Sequence, residues 1–309
     1  MKGFVLLLLR RLLGTAFFVW AATLAAFGLF RLGVPNPGID AEISQQLGPG
    51  QPAALQYMHY LLRLLHGNLG QSLTQPLSVN TILREGLPPT LSLMVGGMLL
   101  WLTVGILAGT VSALRPGSWA DRVLTTGVLT AFAVPTFLLA LLLLAVFPRL
   151  AAAGNLWLQP GYVSISHSPG QWLGRMILPW IAVAAGQAGV AARLARAGIL
   201  DVLGEDYIRT ARAKGLAEGR IFGLHVLRAA ILPVMSSVGV GFGALLGAAA
   251  IVDWVFALGG IGQAFLVAAR AGDLMVLMGT TLAAVVVIAV VNLIIDVGCA
   301  LLNPRVRFT

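Results

Sequence analysis

The residues of this chain that could do chemistry are concentrated in one stretch, from Asp201 to Arg228. Only 10% of the whole chain is charged, yet charged side chains recur throughout this stretch. At roughly 2.5 kcal/mol or more for each charge at the centre of a bilayer, passing it through lipid would cost on the order of 20 kcal/mol. The stretch must therefore lie in water or against another protein. Its charged residues are Asp201, Glu205, Asp206, Arg209, Arg212, Lys214, Glu218, Arg220 and Arg228.

The first part of the stretch has the pattern of an amphipathic helix. A Glu205–Arg209 pair, four residues apart, would stabilise one turn of that helix. Ala211 and Ala213 offer a small surface for close approach, and Gly215 can end the helix. Apolar residues recur at helical spacing along one side, namely Leu200, Leu203, Tyr207 and Ile208.

A second helical segment is predicted from Glu218 to Leu227, before Leu232-Pro233 opens the next apolar run. Together the two segments would form a helix–turn–helix element outside the membrane with an apolar stripe to bury. Two interpretations stay open at this point. The stripe rests on the membrane helices of the same chain, or the element docks on another protein.

Nucleotide-binding and catalytic motifs are missing from the sequence. A phosphate-binding loop needs Gly-x-x-x-x-Gly-Lys-Ser/Thr, and neither Lys2 nor Lys214 has that context. The serines around His167 do not form a nucleophile elbow. The single cysteine, Cys299, excludes an internal disulfide framework and any multi-cysteine metal site. The four histidines have no metal-binding spacing; they are His59, His66, His167 and His225.

The composition is that of a membrane protein. Of the 309 residues, 58% are hydrophobic, and the charged fraction is far below the roughly 25% of soluble domains. Repeated apolar runs of about 20 residues predict an all-α polytopic protein. The first run is too long for a signal peptide and is expected to be retained. The six predicted spans are Leu12–Phe30, Leu91–Ala113, Val123–Phe147, Met176–Ala192, Leu232–Val252 and Leu274–Ile295.

A long polar region separates the first two predicted spans. It opens with turn-rich GVPNPG and LGPGQP, where Pro and Gly forbid a continuous helix. An amphipathic helix is expected next, and it would either lie on the membrane surface or pack on the spans. Its apolar residues at helical spacing are Leu55, Met58, Leu62 and Leu65.

The distribution of basic residues predicts the orientation. With the N-terminus inside, 14 of the 20 Lys and Arg residues fall on the inner side. The positive-inside rule then places both termini and the charged stretch in the cytoplasm.

Several residues at membrane depth are candidates for a pathway or for a structural role. Carboxylates within spans are functional hypotheses by default, while Pro and Gly can kink helices or let them approach closely. A bundle that rocks or slides and an ordinary helix bundle both fit the pattern. The candidates are Pro135, Asp253, Gly260, Gly262, Asn292 and Asp296.

The charged stretch also resembles a known element. GEDYIRTARAKGL, followed by HVLRAAILPV, is similar to the cytoplasmic coupling loop of bacterial ABC importer permeases. Pro233 lies 18 residues after Gly215, a longer spacing than the general pattern and similar to the dipeptide, oligopeptide and nickel branch. Six further segments of the chain resemble the B-type permease of that branch. They are LLLLRRLLGTAFFVW, QYMHYLLRLLHGNLGQSL, LPPTLSL, DRVLTTGVLTAFAVPTFLLALLLL, VDWVFALGGIGQAF and NLIIDVGCALLNPRVR. Asp253 stands where the branch commonly has Glu, and Asn303 where it commonly has Asp.

The resemblance implies the type I permease fold of ABC importers, with six transmembrane helices in a bacterial cytoplasmic (inner) membrane. Residues 1–30 would form the N-terminal tail and first span, 31–90 an outer region with the amphipathic helix, and 91–309 a five-helix core with a coupling loop at 198–230. Residues Glu205–Arg220 would form a coupling helix that docks on an ATPase. The residues given this role are Glu205, Asp206, Tyr207, Arg209, Thr210, Ala211, Arg212, Lys214 and Gly215.

The same resemblance implies the partners and the activity. These are a second homologous permease, two ATP-hydrolysing subunits that hold the ATP and Mg, and an external substrate-binding protein. No catalysis and no cofactor are expected in this chain, and no nucleic acid partner. The expected cargo is a di- or oligopeptide. A nickel or metal-chelate importer of the same family and an autonomous channel or membrane enzyme are the alternatives.

Overall fold

The computed structural model describes residues 2–33, 50–152 and 159–302, and these ranges are almost entirely helical. An isolated β-bridge joins Gln71 to Ser78. The helices are α1 (Lys2–Gly33), α2 (Ala53–Leu65), α3 (Val79–Leu114), α4 (Trp119–Ala133), α5 (Thr136–Ala152), α6 (Pro169–Leu203), α7 (Asp206–Ala213), α8 (Glu218–Ile221), a π-helical turn (Phe222–Val226), α9 (Leu227–Ala230), α10 (Leu232–Val255), α11 (Ile261–Ala271) and α12 (Leu274–Leu302).

The fold class predicted from the sequence, an all-helical membrane protein, is confirmed. In the described part of the chain, α3, α6, α10 and residues Leu274–Ile295 of α12 are long and apolar enough to cross a bilayer. The fourth predicted span, Met176–Ala192, is only the middle of the 35-residue α6. That helix continues beyond the apolar run and carries the chain directly to α7.

The third predicted span, Val123–Phe147, is not one helix. Helix α4 ends at Ala133 and α5 begins at Thr136. Between them Val134 adopts an extended conformation (φ −78°, ψ 123°). The residue before a proline is driven out of the helical region by the proline ring, so Pro135 divides this segment.

Two helices, α3 and α6, form the centre of the bundle and run parallel to each other. Small residues line their contact because the backbones approach closely. A Cβ built on Gly105 would lie 2.9 Å from the carbonyl oxygen of Ala188, and one on Gly109 would lie 2.5 Å from that of Ala192. Helix α10 packs across both, with Gly241 against the ring of the buried Trp101.

Each end of the bundle has its own apolar cluster. At one end, called the α2 end, α2 packs with the end of α1 and the starts of α3 and α12. At the other, called the α7 end, α7 packs with the ends of α3 and α6 and with α8 and α9. The charged stretch and the amphipathic helix therefore lie at opposite ends of the protein.

We expect Gly109→Ala to lower the midpoint of thermal unfolding in detergent. The added methyl meets the backbone of α6, and such overpacking costs about 1–3 kcal/mol, more than the gain of about 1 kcal/mol in helix propensity. The matched control is Gly186→Ala on α6, where a Cβ meets nothing within 4 Å. Equal midpoints for the two variants would contradict the close α3–α6 contact.

Candidate functional site

Helix α7 lies on an apolar base made by the same chain. It begins after Glu205, at the N-cap, and buries Ile208 and Ala211, which are 0% and 8% exposed. Of the stripe expected from the sequence, Ile208 is covered by the chain's own helices, Leu200 and Leu203 are partly covered, and Tyr207 is exposed. The base consists of Ala113, Ile199, Ile221, Val226 and Ala230.

The opposite side of α7 presents polar and charged groups to the surroundings. Tyr207 adds an apolar surface among them and is 47% exposed. Since the buried side fixes the helix, these groups are displayed at a defined place at the α7 end. They are Glu205, Asp206, Tyr207, Arg209, Thr210, Arg212 and Lys214.

A left-handed turn at Gly215 ends α7. Its φ is +76°, a conformation that glycine adopts without the steric penalty of a side chain. The N–H of Gly215 donates to the Arg212 carbonyl at 2.9 Å, and the N–H of Leu216 donates to the Ala211 carbonyl at 3.3 Å. A Cβ at Gly215 would meet nothing within 4 Å, so the backbone conformation, not crowding, favours glycine here.

An ion pair joins α7 to α8 across this turn. The Arg212 Nε donates to Glu218 Oε1 at 2.7 Å, and Nη2 donates to Oε2 at 3.3 Å. The hydrogen bond from Arg212 lowers the pKa of Glu218, and the same bond raises the pKa of Arg212.

Two expectations for this stretch are corrected by the structure. Arg209 pairs with Asp206 at 3.5 Å, while Glu205 is the N-cap residue and has an extended backbone (φ −72°, ψ 145°). The segment Glu218–Leu227 is not a regular helix, since a π-helical turn at Phe222–Val226 separates α8 from α9.

A buried carboxylate network, not anticipated from the sequence, fixes the neighbouring α3–α4 turn to α6. Asp121 accepts hydrogen bonds from Arg196 Nε at 3.2 Å, from Arg196 Nη2 at 3.1 Å and from the Gly117 N–H at 2.9 Å. The Ser112 hydroxyl also donates to Asp121. The bonds from Arg196, then Ser112, hold the pKa of Asp121 well below its ordinary value. The sequence pattern that could have indicated this turn is S-x-x-D, formed by Ser118 and Asp121. In the structure the Ser118 hydroxyl accepts the Asp121 N–H at 3.1 Å.

The candidates Asp253, Gly260 and Gly262 lie together at the α2 end, far from α7 along the bundle. Asp253 is 2% exposed and accepts the N–H groups of Gly260 at 2.9 Å and Gln263 at 2.8 Å. It therefore caps the start of α11. A Cβ on Gly260 would lie 2.5 Å from Asp253 Oδ2 and 2.6 Å from Thr90 Oγ1. These contacts favour the structural alternative for Asp253 and Gly260.

Another carboxylate at the α2 end was also missed by sequence reasoning. Asp273 is 1% exposed and accepts hydrogen bonds from the Leu73 N–H at 3.0 Å and the Thr74 hydroxyl at 3.0 Å, and from Ser72. It ties the segment before α3 to the α11–α12 turn. A lone Asp after Gly272 carries no distinctive motif, because its partners lie about 200 positions away.

The remaining candidate residues at membrane depth lie apart from one another. Asn292 lies at the α10–α12 contact, where a Cβ on Gly239 would be 2.9 Å from its Oδ1. In the described part of the chain this oxygen is buried without a hydrogen-bond partner. Pro135 separates α4 from α5, and the side chain of Asp296 lies outside the described residues. Pro135 and Asn292 therefore do not form one site with Asp253, Gly260 and Gly262.

The arrangement defines a class: a polytopic helical membrane protein with a polar helix displayed on a packed base at one end. Residues 102–308 match the family described as binding-protein-dependent transport system inner membrane component. The chain belongs to this family.

Curated relatives cover nearly all of the chain. It is 30% identical over 313 residues to the peptide ABC transporter permease protein y4tP of Sinorhizobium fredii, covering 97% of this chain and 99% of that protein. It is 34% identical over 317 residues to the di/tripeptide transport system permease protein DppB of Pseudomonas aeruginosa, covering 93% and 94%.

A solved structure shows the same fold. An inward-facing form of the MetNI methionine ABC transporter matches with a TM-score of 0.55 and 18% identity, covering 72% of this chain and 96% of that chain. The type I permease fold expected from the resemblance is therefore confirmed.

We expect Asp121→Asn to lower the midpoint of thermal unfolding at pH 7. Because the folded-state pKa of Asp121 is depressed, its stabilisation is present above the ordinary Asp pKa of about 4 and is lost as the pH falls toward the folded-state value. The difference between wild type and variant should shrink on acidification. Glu218 titrates in both proteins and cancels in the comparison. A difference that stays constant with pH would contradict the charged network.

Proposed function

We propose that this chain is a permease subunit of an ATP-driven importer for di- or oligopeptides and forms half of the translocation pathway. The observation that carries the proposal is the similarity to peptide-transport permeases over more than nine-tenths of the chain. The displayed face of α7 supports it, since a subunit without a phosphate-binding loop needs a contact through which ATP hydrolysis elsewhere can act on it.

In this proposal α7 is the element that couples the chain to an ATPase. Its outward face would lie in a groove of the ATPase, and movement of the ATPase would push or pull the helix. The apolar base under Ile208 and Ala211 joins α7 to the ends of α3 and α6, so a displacement of α7 would be passed to the central helices. The coupling residues would be Glu205, Asp206, Tyr207, Arg209, Thr210, Ala211, Arg212, Lys214 and Gly215.

The proposed complex has a second homologous permease, two ATPase subunits and an external binding protein. ATP and Mg would be held by the ATPases, and this chain would perform no chemistry on the cargo. The α7 end and both termini would face the cytoplasm across the bacterial inner membrane. The excess of Lys and Arg on that side supports this orientation.

The cargo is tested with the assembled complex in proteoliposomes. We expect ATP-dependent accumulation of a labelled dipeptide or oligopeptide in the presence of the binding protein, several-fold above the same vesicles without ATP. Nickel supplied under the same conditions should stay at the ATP-free level. ATP-dependent nickel uptake without peptide uptake would contradict the peptide proposal, and transport by the chain alone would indicate an autonomous channel.

The coupling role is tested by exchanging the charges of the Arg212–Glu218 pair. We expect Arg212→Glu to lower peptide uptake about tenfold or more, the scale for removing a charge pair at an interface, while the protein stays in the membrane. The double variant Arg212→Glu/Glu218→Arg restores an ion pair across the Gly215 turn but keeps the outward charge of α7 reversed. We expect its uptake to stay low. Recovery in the double variant would mean that Arg212 only holds the turn.

A further inference from the structure

Helix α2 packs into the protein with the side opposite to its aliphatic stripe. Gln56 and Tyr60, on the packed side, are 2% and 3% exposed. The sequence left open whether this stripe packs on the spans or lies on the membrane surface, and in the structure it is the exposed side. Leu55, Met58 and Leu62 are each about half exposed, and Leu65 is 83% exposed.

Aromatic contacts fix the rotation of α2 about its axis. The ring of Phe27 lies 5.3 Å from that of Tyr57 and 6.3 Å from that of Tyr60. Tyr60 also belongs to the cluster formed with the starts of α3 and α12. The aliphatic stripe therefore cannot turn inward without breaking this cluster.

The contacts of α2 with α1 indicate where α2 lies along the apolar run of α1. The Tyr57 hydroxyl lies 2.9 Å from Thr23 Oγ1. Thr23 is seven residues before Phe30, where the apolar run of α1 ends, and at 1.5 Å per residue this is about 10 Å. Phe27, which contacts both Tyr57 and Tyr60, is only three residues before Phe30, so α2 packs beside the last turns of the apolar run of α1.

The chemistry of the exposed side fits lipid. Between Ala53 and His66 the exposed residues include no acidic, Lys or Arg side chain, and the only polar ones are His59 and His66 at one edge, where Arg63 is half-buried. The neighbouring surface of α1 is apolar as well, with Trp20 and Leu24 44% and 43% exposed. A helix with one apolar side at this depth is the pattern of an interfacial helix.

We propose that α2 lies in the bilayer surface, with Leu55, Met58, Leu62 and Leu65 inserted among the lipid chains and the two histidines toward the headgroups. The helix would anchor the α2 end of the bundle to one leaflet. This inference depends on the membrane class of the protein and is independent of the cargo.

Spin-label accessibility in vesicles tests the proposal. In a Cys299→Ala background, the full chain carries one label at Leu62→Cys or Met58→Cys and is reconstituted into phosphatidylethanolamine–phosphatidylglycerol bilayers. The control is Gln75→Cys, at an exposed polar position of the same end. Accessibility to oxygen, which partitions into lipid, is compared with accessibility to a water-soluble nickel chelate by power saturation.

We expect the labels at Leu62 and Met58 to be several-fold more accessible to oxygen than to the chelate, and the label at Gln75 to show the reverse. Preference for the chelate at both stripe positions would place the stripe in water. Protection from both reagents would show that another protein, including a second copy, covers it. Either result overturns the proposal.

Discussion

The structure depends on the close parallel contact between α3 and α6. Small residues at Gly105 and Gly109 let the two backbones meet, so van der Waals packing replaces the hydrophobic effect, which is weak between helices in lipid. A Cβ at either position would lie less than 3.0 Å from a carbonyl oxygen of α6, so the two helices would have to shift. Helix α10 crosses this pair at Trp101 and Gly241, α12 contacts α3, and α1 packs on α12. The positions of both ends of the molecule therefore follow from one contact.

Buried carboxylates then fix the turns at each end of that pair. At the α7 end Asp121 ties the turn after α3 to Arg196 of α6. At the α2 end Asp253 caps α11, while Asp273 holds the segment before α3. Each carboxylate accepts several hydrogen bonds, as a buried polar group requires. These three buried carboxylates thus connect one structural element to another.

The sequence predicted the elements better than their contacts. The length of the apolar runs was enough to predict α3, α6, α10 and α12. Lipid requires long apolar helices whose backbone hydrogen bonds are all made within the helix. The length of an apolar run could not show that Pro135 would divide a span while Pro179 lies inside α6. Whether a proline divides a helix depends on whether neighbouring helices hold the segments before and after it in line. For α2 the periodicity identified a helix but not which side packs. The packed side is decided by contacts of Tyr57 and Tyr60 with Phe27, which lies 30 or more positions earlier in the chain. The Asp121–Arg196 pair is similarly remote in sequence.

The exposed face of α7 differs in physical character from its base. Exposed ion pairs such as Arg209–Asp206 contribute only about 0–1 kcal/mol, so they do not hold the helix in place. Burial of Ile208 and Ala211 does, together with the left-handed turn at Gly215. The outward side chains of α7 therefore contribute little to holding the helix in place. In the proposed coupling role, the apolar side of α7 would supply a stiff connection to the core, and its polar side would supply a selective fit to the ATPase.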